Sequence, residues 1–244
     1  NYKTKGFKYV VIVLKKASSN SSTDEDHIAI GEITFYGHRE NDLVRLPDPT
    51  NVLKYPHVAM TGPAQRGYVV SASGAPNPAY DSYHAFNNIT ANGNGSWHSE
   101  SSYATSGSRE STTSTLSSWT GGGGGHNGAW LKIQLPNKIV LNNIIFIPRP
   151  VLHQQPRLFS IVGSNDDSNW YLVHEETSRT FTGATAPNPD PHTMSGPYVS
   201  TAWKYFAVVI RTGSTDNTYN HVAIGDWELY GTEEGSVPIQ IGGG

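Results

Sequence analysis

Residues 27–37 read HIAIGEITFYG and residues 221–231 read HVAIGDWELYG, with six of the eleven positions identical. The likeness reaches upstream, where FKYVVIVLK (7–15) aligns with WKYFAVVIR (203–211), each followed by a polar loop. The offset is 196 residues before the loop and 194 after it, so one loop is two residues longer. Each copy reads as strand, loop, strand. An isolated two-stranded ribbon is marginal in water, so neither copy is a domain by itself. The offset, however, suits one whole sandwich domain. Residues 1–40 are then either the last two strands of an upstream copy of the same module or a hairpin packed on the sandwich formed by the rest. Both arrangements stay open.

Side-chain parity within the motif adds a detail. Ile33 and Phe35 match Trp227 and Leu229 on one face of a strand, while Glu32, Thr34 and Tyr36 match Asp226, Glu228 and Tyr230 on the other. Ile28 and Ile30 share parity with the polar set. A bulge at Gly31 or Gly225 would restore one continuous buried face, and glycine tolerates one.

The remaining chain alternates between strand-like runs and turn formers. The runs are GYVVSAS (67–73), AWLKIQL (129–135), KIVLNNIIFI (138–147), RLFSIVGS (157–164) and WYLVHEE (170–176), besides the repeated pair. Leu131, Ile133 and Leu135 alternate with Lys132 and Gln134, the period of a half-buried strand. SNDDSN (164–169), APNPDP (186–191) and PNK (136–138) read as turns. Sustained helical periodicity is missing, so the chain reads as all-β, a two-layer sandwich.

Composition narrows the function. Charged residues make up 15% of the chain and the net charge is −3, with no block of like charge, which excludes the clustered Lys/Arg of a nucleic-acid footprint. There is no cysteine, hence no disulfide scaffold, thiol catalysis or Cys-ligated zinc. The most apolar stretch, IVLNNIIFI (139–147), is too short and interrupted to insert in a membrane. HEETS (174–178) lacks the second histidine of a zincin helix, and GGGGG (121–125) lacks the Lys-Ser/Thr partner of a phosphate loop. The ten histidines show no metal-ligand spacing, and the expectation is that the chain is not an enzyme.

Taken in order, AMTGPAQRGYVVSAS, YHAFNN…SWHS, AWLKIQLPNKIVLNNIIFIPR, RLFSIVGSNDDSNWYLVHEE, WKYFAVVI and HVAIGDWELYG resemble the discoidin family, also called coagulation factor 5/8 type C or galactose-binding-like domains. The resemblance covers residues 57–231, interrupted by an insertion-like loop at 98–128. Residues 1–40 match the end of the same pattern, 41–56 read as a linker and 232–244 as an exit linker. The family implies a discoidin-like jelly-roll β-sandwich with ligands bound by loops at one end. Its members are non-catalytic modules that recognise glycans, phospholipid head groups or proteins. The exit GTEEGSVPIQIGGG and the Ser/Gly-rich insert also resemble modular surface proteins of viruses infecting algae.

Sugar recognition needs polar groups for hydroxyls, often with an aromatic face for the C–H side of a pyranose. In glycan-binding relatives the His of a W-H-[ST] motif and the Arg of a P-R pair lie at the binding end, here His98 and Arg149. Tyr103 and Trp119 in the insertion are candidate stacking faces, and His126, His153 and Arg157 are further polar candidates. Many relatives hold a structural Ca²⁺ near an A-F-x-D motif with an acidic residue from the last strand. The matching positions are Asn87, which is neutral, and Asp226, while Gly95 replaces a usual threonine; the calcium is therefore doubtful.

The expected function is glycan or glycoprotein recognition in an extracellular or virion-surface chain, alongside other modules of the same chain or assembly. The alternative is a structural or protein-docking piece of a capsid, fibre or adhesin.

Overall fold

The computed structural model describes residues 11–13, 33, 51–89, 95–100, 116, 118–122, 125–149, 154–177, 190–213 and 221–235. Asn1–Arg45 make one compact unit and Leu46–Gly244 another. In the first unit Val11, Ile12, Val13 and Ile33 are exposed. The rest of residues 1–40, and with it the choice between the two arrangements, lies outside the described residues.

The second unit is built from β1 (Leu53–Tyr55), β2 (Ala64–Gln65), β3 (Tyr68–Ala72), β4 (Trp97–His98), β5 (Ala129–Ile147), β6 (Pro156–Ser164), β7 (Tyr171–Glu176), β8 (Asp190–Thr193), β9 (Ala202–Gly213), β10 (Ala223–Ile224) and β11 (Asp226–Glu233). Two 3-10 turns, Pro78–Tyr80 and Ser82–Phe86, lie between β3 and β4. Every pairing between these strands is antiparallel. The main sheet runs β1-β11-β5-β9-β6-β7, with β3 and β8 also on β5 and β2 on β3, and β4 pairs β10 separately.

β5 forms the corner of the sandwich. Its first half carries the expected alternation, with Leu131, Ile133 and Leu135 buried and Lys132 and Gln134 half-buried. That half pairs β3 and β9, whereas the second half pairs β11 and β8. Pro136–Asn137–Lys138, expected as a turn, instead lies within the one continuous strand. The β9 ladder skips there from Gln134↔Tyr205 to Ile139↔Trp203. A proline that cannot donate fits such an irregularity, because no ladder bond is lost.

The core between the layers joins Tyr55, Phe86, Trp97, Leu131, Ile133, Phe146, Phe159, Phe206, Trp227 and Leu229, all buried. Complete burial of one such side chain contributes ~1.5–3 kcal/mol. β6 and β9 are also covered on their outer face. There Val162, Ala207 and Val209 pack with Leu116, Trp119, Trp170 and Leu172 in a second cluster. Burial on both faces accounts for the unbroken apolar run FAVVI (206–210).

The boundaries shift by a few residues at each end. Leu53–Tyr55, expected in the linker, pair as β1 with Leu229–Gly231. β11 runs to Glu233, past the expected end at residue 231. The SNDDSN turn is held by Asp166, whose Oδ1 accepts the Ser168 and Asn169 N–H groups at 2.9 and 2.8 Å.

Candidate functional site

Gly225 assembles this end of the sandwich. The chain leaves β10 and enters β11 at this residue, and the buried face changes parity as the motif pattern expects. The Gly225 N–H donates to Ile147 O at 3.0 Å. A Cβ on Gly225 would meet that oxygen at 2.8 Å and the Arg149 nitrogen at 3.2 Å. The missing side chain therefore lets the segment after β5 cross over β10, whose Ala223 pairs with His98.

His98 is 3% exposed and stacks with two other rings. Tyr80 stacks on it with centroids 3.9 Å apart and planes 17° from parallel, and His221 stacks at 4.8 Å and 23°. Tyr80 and His221 are both half-buried. His98 Nε2 lies 3.0 Å from Ser96 Oγ. Burial, and then charge on Arg149 and His221, depress the His98 pKa to about 3, so the imidazole is neutral at ordinary pH. The sequence places His98 as a direct donor at the surface; the structure places it inside, where it backs Tyr80 and His221.

Arg149 is half-buried and donates through Nη1 to Gln154 Oε1 at 2.7 Å. Its Nε is buried without a hydrogen-bond partner among the described residues. Next to Pro148 a narrow, apolar crevice with room for about one water lies between Ile147–Pro148, Gln155–Pro156 and Ala223–Ile224.

Solved structures similar to this chain include carbohydrate-binding modules and a family 89 glycoside hydrolase from Clostridium perfringens. One is a chitosan-binding module of a chitosanase/glucanase from Paenibacillus sp. IK-5, at 15% identity over 67% of this chain and 93% of that one, TM-score 0.45. The family 32 module of C. perfringens NanJ, in complex with galactose, shares 13% identity over 67% of this chain and 93% of that one, TM-score 0.43. A further family 32 module from C. perfringens, in complex with GalNAc-β-1,3-galactose, shares 10% identity over 66% and 94%, TM-score 0.44. Neither a protein-family profile nor a curated protein sequence matches the chain.

Trp119 and His126, among the other sequence candidates, belong to a different cluster. Trp119, expected as a stacking face, is 9% exposed and packs in the outer cluster with Trp170 and Leu172. It anchors the inserted loop on the sheet, because an indole gains more from the apolar face of β6 and β9 than from water. His126 meets the edge of Trp119 at 4.9 Å, and its Nε2 lies 3.2 Å from Val209 O, so it belongs to the same anchor. Arg157 is half-buried beside the irregular start of β6. Tyr103 and His153 lie outside the described residues.

The calcium position is tested by the residues around it. Asn87 Oδ1 accepts the Ile89 N–H at 2.8 Å, and its Nδ2 lies 3.2 Å from His84 Nδ1. Asp226 is 2% exposed; burial pushes its pKa up to about 7, which the Lys54 charge partly offsets. Its Oδ1 accepts the Asn88 N–H at 3.4 Å. Lys54 Nζ donates to Asn88 Oδ1 at 3.1 Å and pairs with the Glu228 carboxylate. A hard dication wants several free oxygens and more than one ionised carboxylate. These residues do not fit calcium: a lysine ammonium already joins the 87–89 loop to β11.

Sequence reasoning missed Tyr80, Ser96, Gln154, His221 and Lys54. A signal existed for His221, since the repeated motif begins with histidine in both copies.

Proposed function

We propose that the sandwich is a non-catalytic carbohydrate-binding module whose saccharide seat is the Tyr80–His98–His221 stack together with Arg149. The observation that carries this reading is the stack itself, three nearly parallel rings of which Tyr80 and His221 are half-buried. Such a face suits the C–H side of a pyranose, and the guanidinium and imidazole groups suit its hydroxyls.

Ser96 and His98 form a serine–imidazole pair by distance, but both are buried. An imidazole with its pKa near 3 is a poor acceptor for a serine proton at neutral pH. That supports binding over hydrolysis. Among the described residues no helix is long and apolar enough to cross a membrane. The same reading puts the module outside the cell or on a virion surface, where glycans and glycoproteins are met, within a longer modular chain or assembly. The repeated motif supports the modular part.

The test is calorimetric titration with galactose, GalNAc-β-1,3-galactose and chitosan oligosaccharides, backed by a glycan array. Binding to at least one, weakened tenfold or more (about 1.4 kcal/mol) by Arg149→Ala and by Tyr80→Ala, is the expected result. Silence across the array, with the stack covered by a neighbouring protein in the native assembly, would replace this reading with protein docking.

A further inference from the structure

A second cluster of ligating side chains lies at β7 and β8, apart from the saccharide seat and independent of it. His174 and Glu176 stand two residues apart on β7, so they project to the same side of the strand. His192 comes from β8, which pairs with the second half of β5 rather than with β7. One ligand atom from each of the three lies within 4.8 Å of the others. His192 Nδ1 and Glu176 Oε2 are 3.4 Å apart. Two ligands on one tetrahedral ion with bonds of ~2.0–2.1 Å stand about 3.4 Å from each other.

The geometry points to a transition-metal site, of the kind zinc takes, formed by His174, Glu176 and His192. His174 is 8% exposed, and its Nε2 is buried with no hydrogen-bond partner. Its Nδ1 lies 3.2 Å from Ser195 Oγ. When Nδ1–H donates to that hydroxyl, Nε2 carries a lone pair that no described residue satisfies. A hydrogen bond on the far ring nitrogen is the usual way a ligating histidine is oriented. An orphaned buried acceptor is costly, and a Lewis acid removes that cost. Two imidazoles and one carboxylate favour zinc or a neighbouring first-row ion over calcium or magnesium, which prefer all-oxygen shells.

The walls of the site are apolar and close. The Phe159 and Phe146 rings meet His192 edge-on at 5.2 and 6.0 Å, and the two imidazole centroids are 6.0 Å apart. A bound ion cross-links β7, the end strand of the sheet order, to β8 on the other arm of β5. Its role is that of a staple in a chain without cysteine, with a fourth position left for water.

The test uses the full chain, stripped of metal and dialysed. Zinc titrated by calorimetry is expected to bind at this site and raise the melting temperature, as any ligand of the native state does. Cobalt in its place is expected to give visible d–d bands of a nitrogen/oxygen site. Glu176→Gln should weaken zinc about tenfold and His192→Ala about a hundredfold, with the zinc-dependent rise in melting temperature lost in both. Should His192→Ala fail to fold, Glu176→Gln, which alters a half-buried carboxylate, decides alone. No binding up to about 1 mM zinc, or equal affinity in wild type and Glu176→Gln, overturns the proposal. Glycan titration of the same zinc-free protein reads the saccharide seat separately.

Discussion

Tyr80 and His98 lie face to face, centroids 3.9 Å apart and planes 17° from parallel, and His221 also stacks on the imidazole at 4.8 Å. Tyr80 comes from a 3-10 turn that Asn77 caps, its Oδ1 accepting the Ala79 N–H at 2.9 Å. A short capped turn thus presents an aromatic face against a rigid strand. Tyr80→Ala is predicted to weaken saccharide binding at least tenfold while costing only ~1 kcal/mol of stability, since the Tyr80 ring itself is half-buried. Calorimetry and a melting curve on the same sample check both halves of the prediction.

Trp119 should behave in the opposite way. It is buried in the outer cluster, so Trp119→Ala is predicted to cost ~3 kcal/mol. Saccharide affinity should be unchanged at temperatures where the variant is folded. A loss of affinity with intact stability would return Trp119 to the binding surface.

The Lys54 ammonium bridges Asn88, next in sequence to the expected ion ligand Asn87, and Glu228, two residues from Asp226. Added calcium at millimolar concentration is therefore predicted to leave the melting temperature of the wild type unchanged. Lys54→Met removes the pairing with Glu228 and Asn88; the Lys54 and Glu228 side chains are 33% and 13% exposed. The expected cost is ~1 kcal/mol. A calcium-dependent rise in the wild-type melting temperature would contradict the lysine clamp.

Two buried groups set opposite pH slopes. The Asp226 pKa is raised from 3.8 to about 7, so its stabilising contribution is present at low pH and is lost as pH rises through about 7. The His98 pKa is depressed from 6.5 to about 3, so its contribution is present above 6.5 and is lost as pH falls through about 3. Between about pH 4 and 6.5 the two slopes oppose each other. Asp226→Asn is predicted to expose the histidine slope, with stability climbing with pH across that interval more steeply than in the wild type. Melting temperatures at half-unit pH steps decide it. Superimposable curves would mean that the buried carboxyl does not hold its proton.

Much of the fold is legible in the sequence because its cause is local. Leu131, Ile133 and Leu135 alternate with polar neighbours, and a strand with one buried face needs nothing more. Gly225 is readable as a break because parity changes across it. The corner at Pro136–Lys138 is not readable, since a proline-containing turn and a strand irregularity look alike until the partner ladder is known. The site divides in the same way. The Arg149 charge acts on His98, but burial sets His98 inside the protein, which its letter in the W-H-[ST] motif does not show. Trp119 misleads because a loop aromatic and a core aromatic are the same letter. His174 and His192 carry no spacing signal at all; only the pairing of β8 with β5 brings them together.

The most direct measurement is the response of the histidine ring resonances to saccharide in isotope-labelled protein. Binding at the proposed seat predicts that the His98 and His221 imidazole signals shift in step with saturation, while those of His174 and His192 stay in place. Saturable binding that leaves His98 and His221 unmoved would show that the saccharide sits elsewhere on the sandwich.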